Sequence, residues 1–286
     1  MTREASGERG ARKTDAWKFL PMAPASQYGL PFLAARRSPL ASPTMTIPRI
    51  CVALPLSDHD TVDLPADAVN HLRVLRMRPG KSLVLFNGEG GEYPAQLLAL
   101  ERRGATVRLG VRAQVEAESP MPVVLYQGVS RGDRMDWAIQ KAVELGVGRI
   151  VPVFTSRSVV QLSADRLEKK RAHWQAVVTS ACEQCGRNRL PVVDMPLSYA
   201  ELLNVQAPGL RLLLEPDGGS GPGDLSAPGD NGVSLLVGPE GGLTGKELTE
   251  ARSRHWQPLL LGPRVLRTET AGIAALAVIQ TLWGDF

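Results

Sequence analysis

Short apolar segments alternate with amphipathic segments along the C-terminal part of the chain. The apolar segments predict buried β-strands, and they lie at residues 123–129, 149–154, 211–214, 234–237 and 258–261. Helical spacing of apolar residues predicts helices between them, at residues 135–145, 163–185, 244–255 and 270–282. Ser198 with Glu201, and Thr244 with Glu247, have the spacing of capping boxes that start helices. This alternation predicts an α/β fold, in which a parallel sheet carries helices on both faces.

The pattern is different between Met45 and Ser119. Strand-like segments lie at 82–86, 93–100 and 105–111 and are separated by glycine-containing turns, which predicts a small β-barrel. The segment Glu116–Pro122 is polar and proline-containing, as is typical of a linker. We therefore expect one domain at 45–118 and a second at 119–286.

The first 44 residues fit neither domain. They contain five prolines and seven basic against three acidic side chains, which equals the net charge of +4 for all 286 residues. We expect a disordered leader, or translated sequence upstream of a start at Met45. Residues 45–286 are therefore balanced in charge, so net charge gives no argument for a nucleic-acid partner. The chain has no run of eighteen apolar residues that would predict a transmembrane helix.

Polar and glycine-rich residues are concentrated after the C-terminal strands. Ligands of parallel sheets bind beyond the carboxyl ends of the strands, where this chain places the loops 130–134, 155–158, 215–219, 238–242 and 262–270. Two of these loops are Gly-Pro turns, within LLVGPEGG and LGPRVLRTETAG. Neither is a phosphate loop, because Glu240 occupies the position of the first Walker glycine and no G-x-G-x-x-G follows a strand. Two such turns are suited to bind a flat heterocycle through backbone groups.

The cysteines do not suggest redox or metal chemistry. Cys182 and Cys185 form a C-x-x-C pair, but it falls late in a predicted helix and no second pair completes a zinc site. Three cysteines in total are typical of a protein of the reducing cytosol. We expect no metal.

Five segments together resemble the SPOUT superfamily of S-adenosylmethionine-dependent RNA methyltransferases. They are LLVGPEGGLTGKE, LGPRVLRTETAGIAAL, QKAVELGV, HWQAVVTSACEQCGRNR and MTIPRI. Within the superfamily, residues 45–286 are similar to the bacterial small-subunit ribosomal RNA uracil-N3 methyltransferases, the RsmE type. The resemblance implies an N-terminal PUA-like, RNA-binding barrel and a C-terminal SPOUT domain that contains a trefoil knot and forms a homodimer. It also implies S-adenosylmethionine bound at Leu214, Glu215, Val237, Gly238, Pro239, Glu240, Gly241, Leu261, Gly262, Val265, Leu266, Arg267 and Thr268.

The implied reaction transfers a methyl group to N3 of a uracil in the RNA of a cytoplasmic small ribosomal subunit, free or assembled. Negative charge then develops on the flanking carbonyl oxygens, so a fixed guanidinium is a suitable stabiliser. Arg267 is the first candidate, followed by Arg131 and Arg134. Glu183, Glu240 and Glu269 are unranked candidates for the base. We expect RNA contacts from the arginines Arg73, Arg76, Arg78, Arg187 and Arg189.

Three alternatives stay open at this point. The same cofactor turns would serve methylation of a ribose 2′-hydroxyl or of another base. A non-catalytic RNA-binding or ribosome-assembly module would keep the fold, although intact cofactor turns argue against it. A nucleotide hydrolase is weakened by the failed Walker spacing.

Overall fold

The computed structural model describes residues 47–158 and 164–286. Its N-terminal sheet has five strands in the order β1-β3-β4-β5-β2, of which β1 and β3 pair in parallel and the other neighbours are antiparallel. The strands are β1 Arg49–Cys51, β2 Thr61–Asp63, β3 Ser82–Phe86, β4 Tyr93–Leu100 and β5 Ala105–Leu109. In β4, Tyr93, Ala95 and Leu97 are buried while Pro94 and Gln96 are exposed, so one face of the sheet builds its core.

A helix, α1 at Ala66–Val74, covers this core and was not predicted. Its buried residues Ala68, Val69 and Leu72 follow helical spacing and join the cluster of the N-terminal sheet. The strands predicted between Met45 and Ser119 are present as β3, β4 and β5, and α1 is an additional element, on which Arg73 lies.

The second sheet is parallel and has the order β12-β10-β11-β6-β7-β8, with β9 also paired to β7. Its strands are β6 Val123–Gly128, β7 Arg149–Phe154, β8 Val192–Val193, β9 Leu197–Ser198, β10 Leu210–Leu214, β11 Val233–Val237 and β12 Gln257–Leu259. The helices between and after them are α2 Asp133–Glu144, α3 Ala164–Cys185, α4 Tyr199–Asn204, α5 Gly245–Ser253 and α6 Thr268–Trp283.

Helices cover both faces of this sheet, which confirms the predicted α/β fold. On β11, Leu235 and Val237 belong to the cluster that includes residues of α2, α3 and α6. Leu236, between them, belongs to the opposite cluster, with Tyr199 of α4 and Ala251 of α5. All five residues of β11 are buried, so the strand does not alternate between buried and exposed positions, and its one polar side chain, Ser234, donates to the Pro208 carbonyl at 2.7 Å.

Two element boundaries differ from the sequence prediction and affect the turn before α6. Strand β12 ends at Leu259, not Leu261, and α6 begins at Thr268, not Thr270. The turn therefore runs from Leu260 to Arg267. Both predicted capping boxes are confirmed, at Ser198 with Glu201 and at Thr244 with Glu247.

The Thr244–Glu247 capping box also fixes the loop after β7. One Glu247 oxygen accepts from the Ser156 amide at 2.8 Å, and the other accepts from the Thr244 amide at 2.7 Å. Burial opposes ionisation of Glu247, but these donors outweigh it and lower its pKa below the ordinary 4.5.

Replacing Glu247 with alanine should therefore destabilise the protein in a pH-dependent way. At pH 7 the loss of the cap and of the Ser156 contact is expected to cost about 1–3 kcal/mol. A lowered folded pKa gives stability that is present above 4.5 and is lost as pH falls through the folded value. Urea denaturation should show the difference between wild type and variant shrinking below pH 4.5, whereas a pH-independent difference would contradict this role.

No helix within the described residues is long and apolar enough to cross a membrane.

Candidate active site

The carboxyl ends of three neighbouring strands, β12, β10 and β11, open into one cleft of about 450 Å³. All thirteen residues predicted at a cofactor site line it: Leu214, Glu215, Val237, Gly238, Pro239, Glu240, Gly241, Leu261, Gly262, Val265, Leu266, Arg267 and Thr268. The parallel topology brings these segments together, because adjacent parallel strands end at the same edge of the sheet. The volume suits a small organic ligand.

The first Gly-Pro turn, Gly238–Gly242, is fixed by close packing against the end of β6. A Cβ on Gly128, at the end of β6, would lie 2.4 Å from the Pro239 nitrogen, so only glycine is compatible with this approach. The Thr268 hydroxyl donates to the Gly238 carbonyl at 2.5 Å and accepts from the Gln127 amide at 3.1 Å. Gln127 is buried, and this polar side chain in an apolar strand was a signal that sequence reasoning missed.

Two arginines and one backbone amide hold the same turn from the side. A Glu240 oxygen accepts from the Arg131 amide at 2.9 Å and from the Arg134 guanidinium at 3.0 Å. The Arg157 guanidinium donates to the Gly241 carbonyl at 2.5 Å. Burial opposes ionisation of Glu240, but the Arg131 amide and Arg134 outweigh it, so its pKa is lowered. Glu240 is thus a carboxylate that anchors the turn.

The three arginines predicted to be catalytic differ in their positions and in their bonding partners. Arg134 lines the cleft, but its guanidinium is engaged with Glu240. Arg131 is exposed, contributes its backbone amide to Glu240, and does not line the cleft. Arg267 lines the cleft at the N-cap of α6, is exposed, and forms no salt bridge with any residue in the described ranges.

The second turn, Leu260–Arg267, presents its backbone to the cleft. No backbone carbonyl of the described chain accepts a hydrogen bond from an amide of residues 261–267. Val265 lies on this turn with 82% of its surface exposed. Free amides beside apolar side chains are the groups that recognise the edge and face of a flat ligand.

The predicted base candidates are divided by their positions. Glu183 lies on α3, where it accepts from the Cys51 amide at 3.0 Å, and it does not line the cleft. Glu240 lines the cleft but is held by Arg134. Glu269 lines the cleft from the first turn of α6 and is 9% exposed.

Comparison with known proteins gives the family. The model of the RNA methyltransferase domain matches residues 117–280, and that of the RNA methyltransferase PUA domain matches residues 64–110. The ribosomal RNA small subunit methyltransferase E of Buchnera aphidicola is 31% identical over 84% of this chain and 98% of its own. The chain belongs to the RNA methyltransferase family.

Two solved methyltransferase structures agree with this assignment. Ribosomal RNA small subunit methyltransferase E from Neisseria gonorrhoeae, bound to S-adenosylmethionine, is 42% identical, with a TM-score of 0.79 over 84% of this chain and 99% of that one. A methyltransferase from Legionella pneumophila, also with S-adenosylmethionine bound, is 36% identical, with a TM-score of 0.81 over 84% of this chain and 99% of that one.

The methyltransferase's predicted RNA-contact arginines occupy different environments. Arg73, Arg76 and Arg78 are exposed at the end of α1, and Arg189 is exposed with 59% of its side-chain surface accessible. Arg187 is 4% exposed, and it pairs with Glu118 and donates to the Val143 and Val147 carbonyls at 2.9 and 2.8 Å. The structure gives no support for an RNA contact by Arg187, because its guanidinium is engaged inside the protein.

Burial accounts for the cysteines of the methyltransferase. Cys182 and Cys185 lie in the last turn of α3, and burial raises the pKa of Cys182 to about 12. Burial and, to a smaller extent, Glu183 raise the pKa of Cys51 to about 11. Both thiols are protonated at neutral pH, which argues against a nucleophilic role. No group of metal-ligating side chains occurs within residues 47–158 and 164–286.

Proposed function

We propose that the protein methylates N3 of a specific uridine in small-subunit ribosomal RNA, with S-adenosylmethionine as methyl donor. The observation that carries the proposal is the cleft at the ends of β12, β10 and β11, where both Gly-Pro turns meet in an RNA methyltransferase fold. The relatives named as small-subunit methyltransferases and crystallised with this cofactor support it.

The lining of the cleft fits S-adenosylmethionine. Leu214, Leu261 and Leu266 supply apolar surface for the adenine, and the unbonded amides of residues 261–267 supply donors for its edge. When bound, the cofactor supplies an electrophilic methyl group on a sulfonium. The turn Gly238–Gly242 is held rigidly by Thr268, Arg134 and Arg157, so its backbone is preorganised for binding.

The uracil must leave its stack to bring N3 to this cleft. As N3 loses its proton, negative charge spreads to the flanking carbonyl oxygens. Arg157, Arg264 and Arg267 line the cleft without a salt bridge in the described ranges; Arg157 is bonded to the Gly241 carbonyl, and Arg267 lies at the N-cap of α6. Arg267 therefore stabilises the developing charge. Arg131 and Arg134 position the turn Gly238–Gly242, because they hold it through Glu240.

The arginines at the end of α1 support an RNA-binding surface. Arg76 has a positive φ of 53°, at a helix end where the Met77 amide bonds the Leu72 carbonyl and the Arg76 amide bonds the Arg73 carbonyl. This is a Schellman motif, whose left-handed position normally holds glycine. An arginine there costs about 1 kcal/mol relative to glycine, so its presence favours a role for the side chain on a phosphate backbone.

The variant Arg76→Gly should therefore move stability and RNA affinity in opposite directions. We expect a gain of about 1 kcal/mol in the free energy of unfolding and a fall of about 0.7–0.9 in the slope of log affinity against log salt. His255→Gly is the matched control, because His255 has φ of 65° at the equivalent position after α5. It should gain stability with unchanged RNA binding. Equal RNA binding by wild type and Arg76→Gly would contradict the role.

We also propose a homodimer in the cytoplasm, as the family resemblance implies. Trp137 on α2 and Leu282 on α6 leave 50% and 44% of their surfaces exposed, on two helices that pack together. Light scattering at micromolar concentration tests this, with a mass of two chains expected. The trefoil knot stays a prediction of the resemblance.

Transfer of label tests the proposed activity. The protein is incubated with S-adenosylmethionine labelled in the methyl group and with small subunits that lack the modification. Label in the small-subunit RNA is expected. Tight RNA binding without any transfer would instead favour the non-catalytic assembly module.

A further inference from the structure

Four acidic side chains of the described residues line the cleft. Two of them are held by arginines, and a third is exposed to solvent. Glu215 pairs with Arg252 through both carboxylate oxygens, at 2.5 and 2.6 Å. Glu240 is held by the Arg131 amide and by Arg134. Asp217 is exposed to solvent. The fourth, Glu269, forms no salt bridge within the described part of the chain and is 9% exposed.

Glu269 also carries an unsatisfied oxygen. Three buried side-chain atoms of the described residues lack a hydrogen-bond partner: Arg49 Nε, Gln127 Oε1 and Glu269 Oε2. Of these residues only Glu269 lines the cleft, and Gln127 Oε1 faces Gly272 of α6. A buried acceptor without a donor destabilises a protein and calls for an explanation outside its own fold. Glu269 Oε1 is not among these buried atoms and accepts no hydrogen bond from a described residue, so it is the oxygen that a donor of a ligand in the cleft can reach.

We propose that Glu269 is the general base that removes the N3 proton of the uracil. This inference rests on the proposed uracil-N3 methylation. The N3–H bond breaks, its proton passes to the Glu269 carboxylate at Oε1, and the nitrogen electron pair forms the new bond to the methyl carbon. The bond from that carbon to sulfur breaks, and its electron pair stays on sulfur. Water then takes the proton from Glu269, which restores the carboxylate.

The neighbours of Glu269 suit this role. Arg267 precedes it by two residues at the start of α6, so one helix end presents a base and a cation to the same cleft. Arg264 lies on the same turn as Arg267. Helix α2 packs against α6, and of the charged side chains on α2 only Arg134 is among the described residues that line the cleft. The carboxylate accepts the proton, and Arg267 stabilises the charge that the proton leaves on the uracil.

The variant Glu269→Gln separates this role from two competing ones. Single-turnover transfer at neutral pH should fall by about 100-fold or more, and the residual rate should rise with pH as the uracil ionises unaided. Calorimetric titration with S-adenosylmethionine and with S-adenosylhomocysteine should give affinities within about threefold of wild type. Without ligand, the variant should melt at the wild-type temperature or above, because the amide removes an unpaired buried charge.

Three results would contradict the assignment of Glu269 as the general base. A selective loss of S-adenosylmethionine affinity would make Glu269 a counter-ion of the sulfonium, and a lower melting temperature would make it a structural residue. Wild-type transfer rates in the variant would exclude it as a base. If wild-type protein formed no N3-methyluridine, the proposed function itself would fail, and that result is read from the wild type alone. Glu269→Asp should retain part of the activity.

Discussion

Arg267→Ala is expected to lower the rate of methyl transfer by about 10²–10³-fold or more while cofactor affinity stays within a few-fold. Arg267 lines the cleft, is exposed, and has no internal salt-bridge partner within the described ranges, so its charge is available to the uracil. The turn Gly238–Gly242, which we propose binds the cofactor, is fixed by other groups, Arg134 and Arg157 among them, and should survive the substitution. Single-turnover kinetics and calorimetric titration measure the two quantities.

Two further variants sharpen the Arg267 experiment. Arg254→Ala removes an equally exposed charge outside the cleft and should transfer at the wild-type rate. Arg267→Lys keeps the charge but loses the planar pair of donors, so an intermediate rate is expected. Wild-type transfer by Arg267→Ala would rule out Arg267 as the stabilising cation.

Arg187→Ala is expected to have the largest effect on stability, a loss of about 3–5 kcal/mol in the free energy of unfolding. The substitution leaves Glu118 without its partner and the Val143 and Val147 carbonyls without their donor. Denaturation in urea, followed by circular dichroism, measures the loss.

Arg189 is the matched comparison, two residues away on the same segment and exposed. Arg189→Ala should change stability by no more than about 0.5 kcal/mol. The same substitution should lower the slope of log RNA affinity against log salt concentration, as expected for a residue that contacts RNA. An Arg187→Ala protein as stable as wild type would contradict the structural role assigned to Arg187.

The different environments of Arg187 and Arg189 could not be predicted from the sequence. A cluster of positive charge after α3 was visible in the sequence, but the partner of Arg187 is Glu118, 69 residues earlier. Burial of one arginine and exposure of the other follow from tertiary packing that no local pattern encodes. The same is true of Glu269, because its unsatisfied oxygen is a property of the folded environment.

The strand-end turns were predictable because their signals are local. Apolar residues end abruptly at Gly238-Pro239 and at Gly262-Pro263, and both turns follow strands of one parallel sheet, so they lie at the same edge, on either side of the end of β10. Helix α1 was missed because its buried apolar residues, Ala68, Val69 and Leu72, span little more than one turn. Short helices of this kind are defined by packing more than by sequence pattern.

The identity of the methylated atom tests the central claim most directly. Small subunits lacking the modification are incubated with the wild-type protein and S-adenosylmethionine, and their RNA is digested to nucleosides and analysed by mass spectrometry against standards. We expect N3-methyluridine at a single position, formed by wild type and strongly reduced with Arg267→Ala. A 2′-O-methyl nucleoside, or a methyl group on another base, would contradict it.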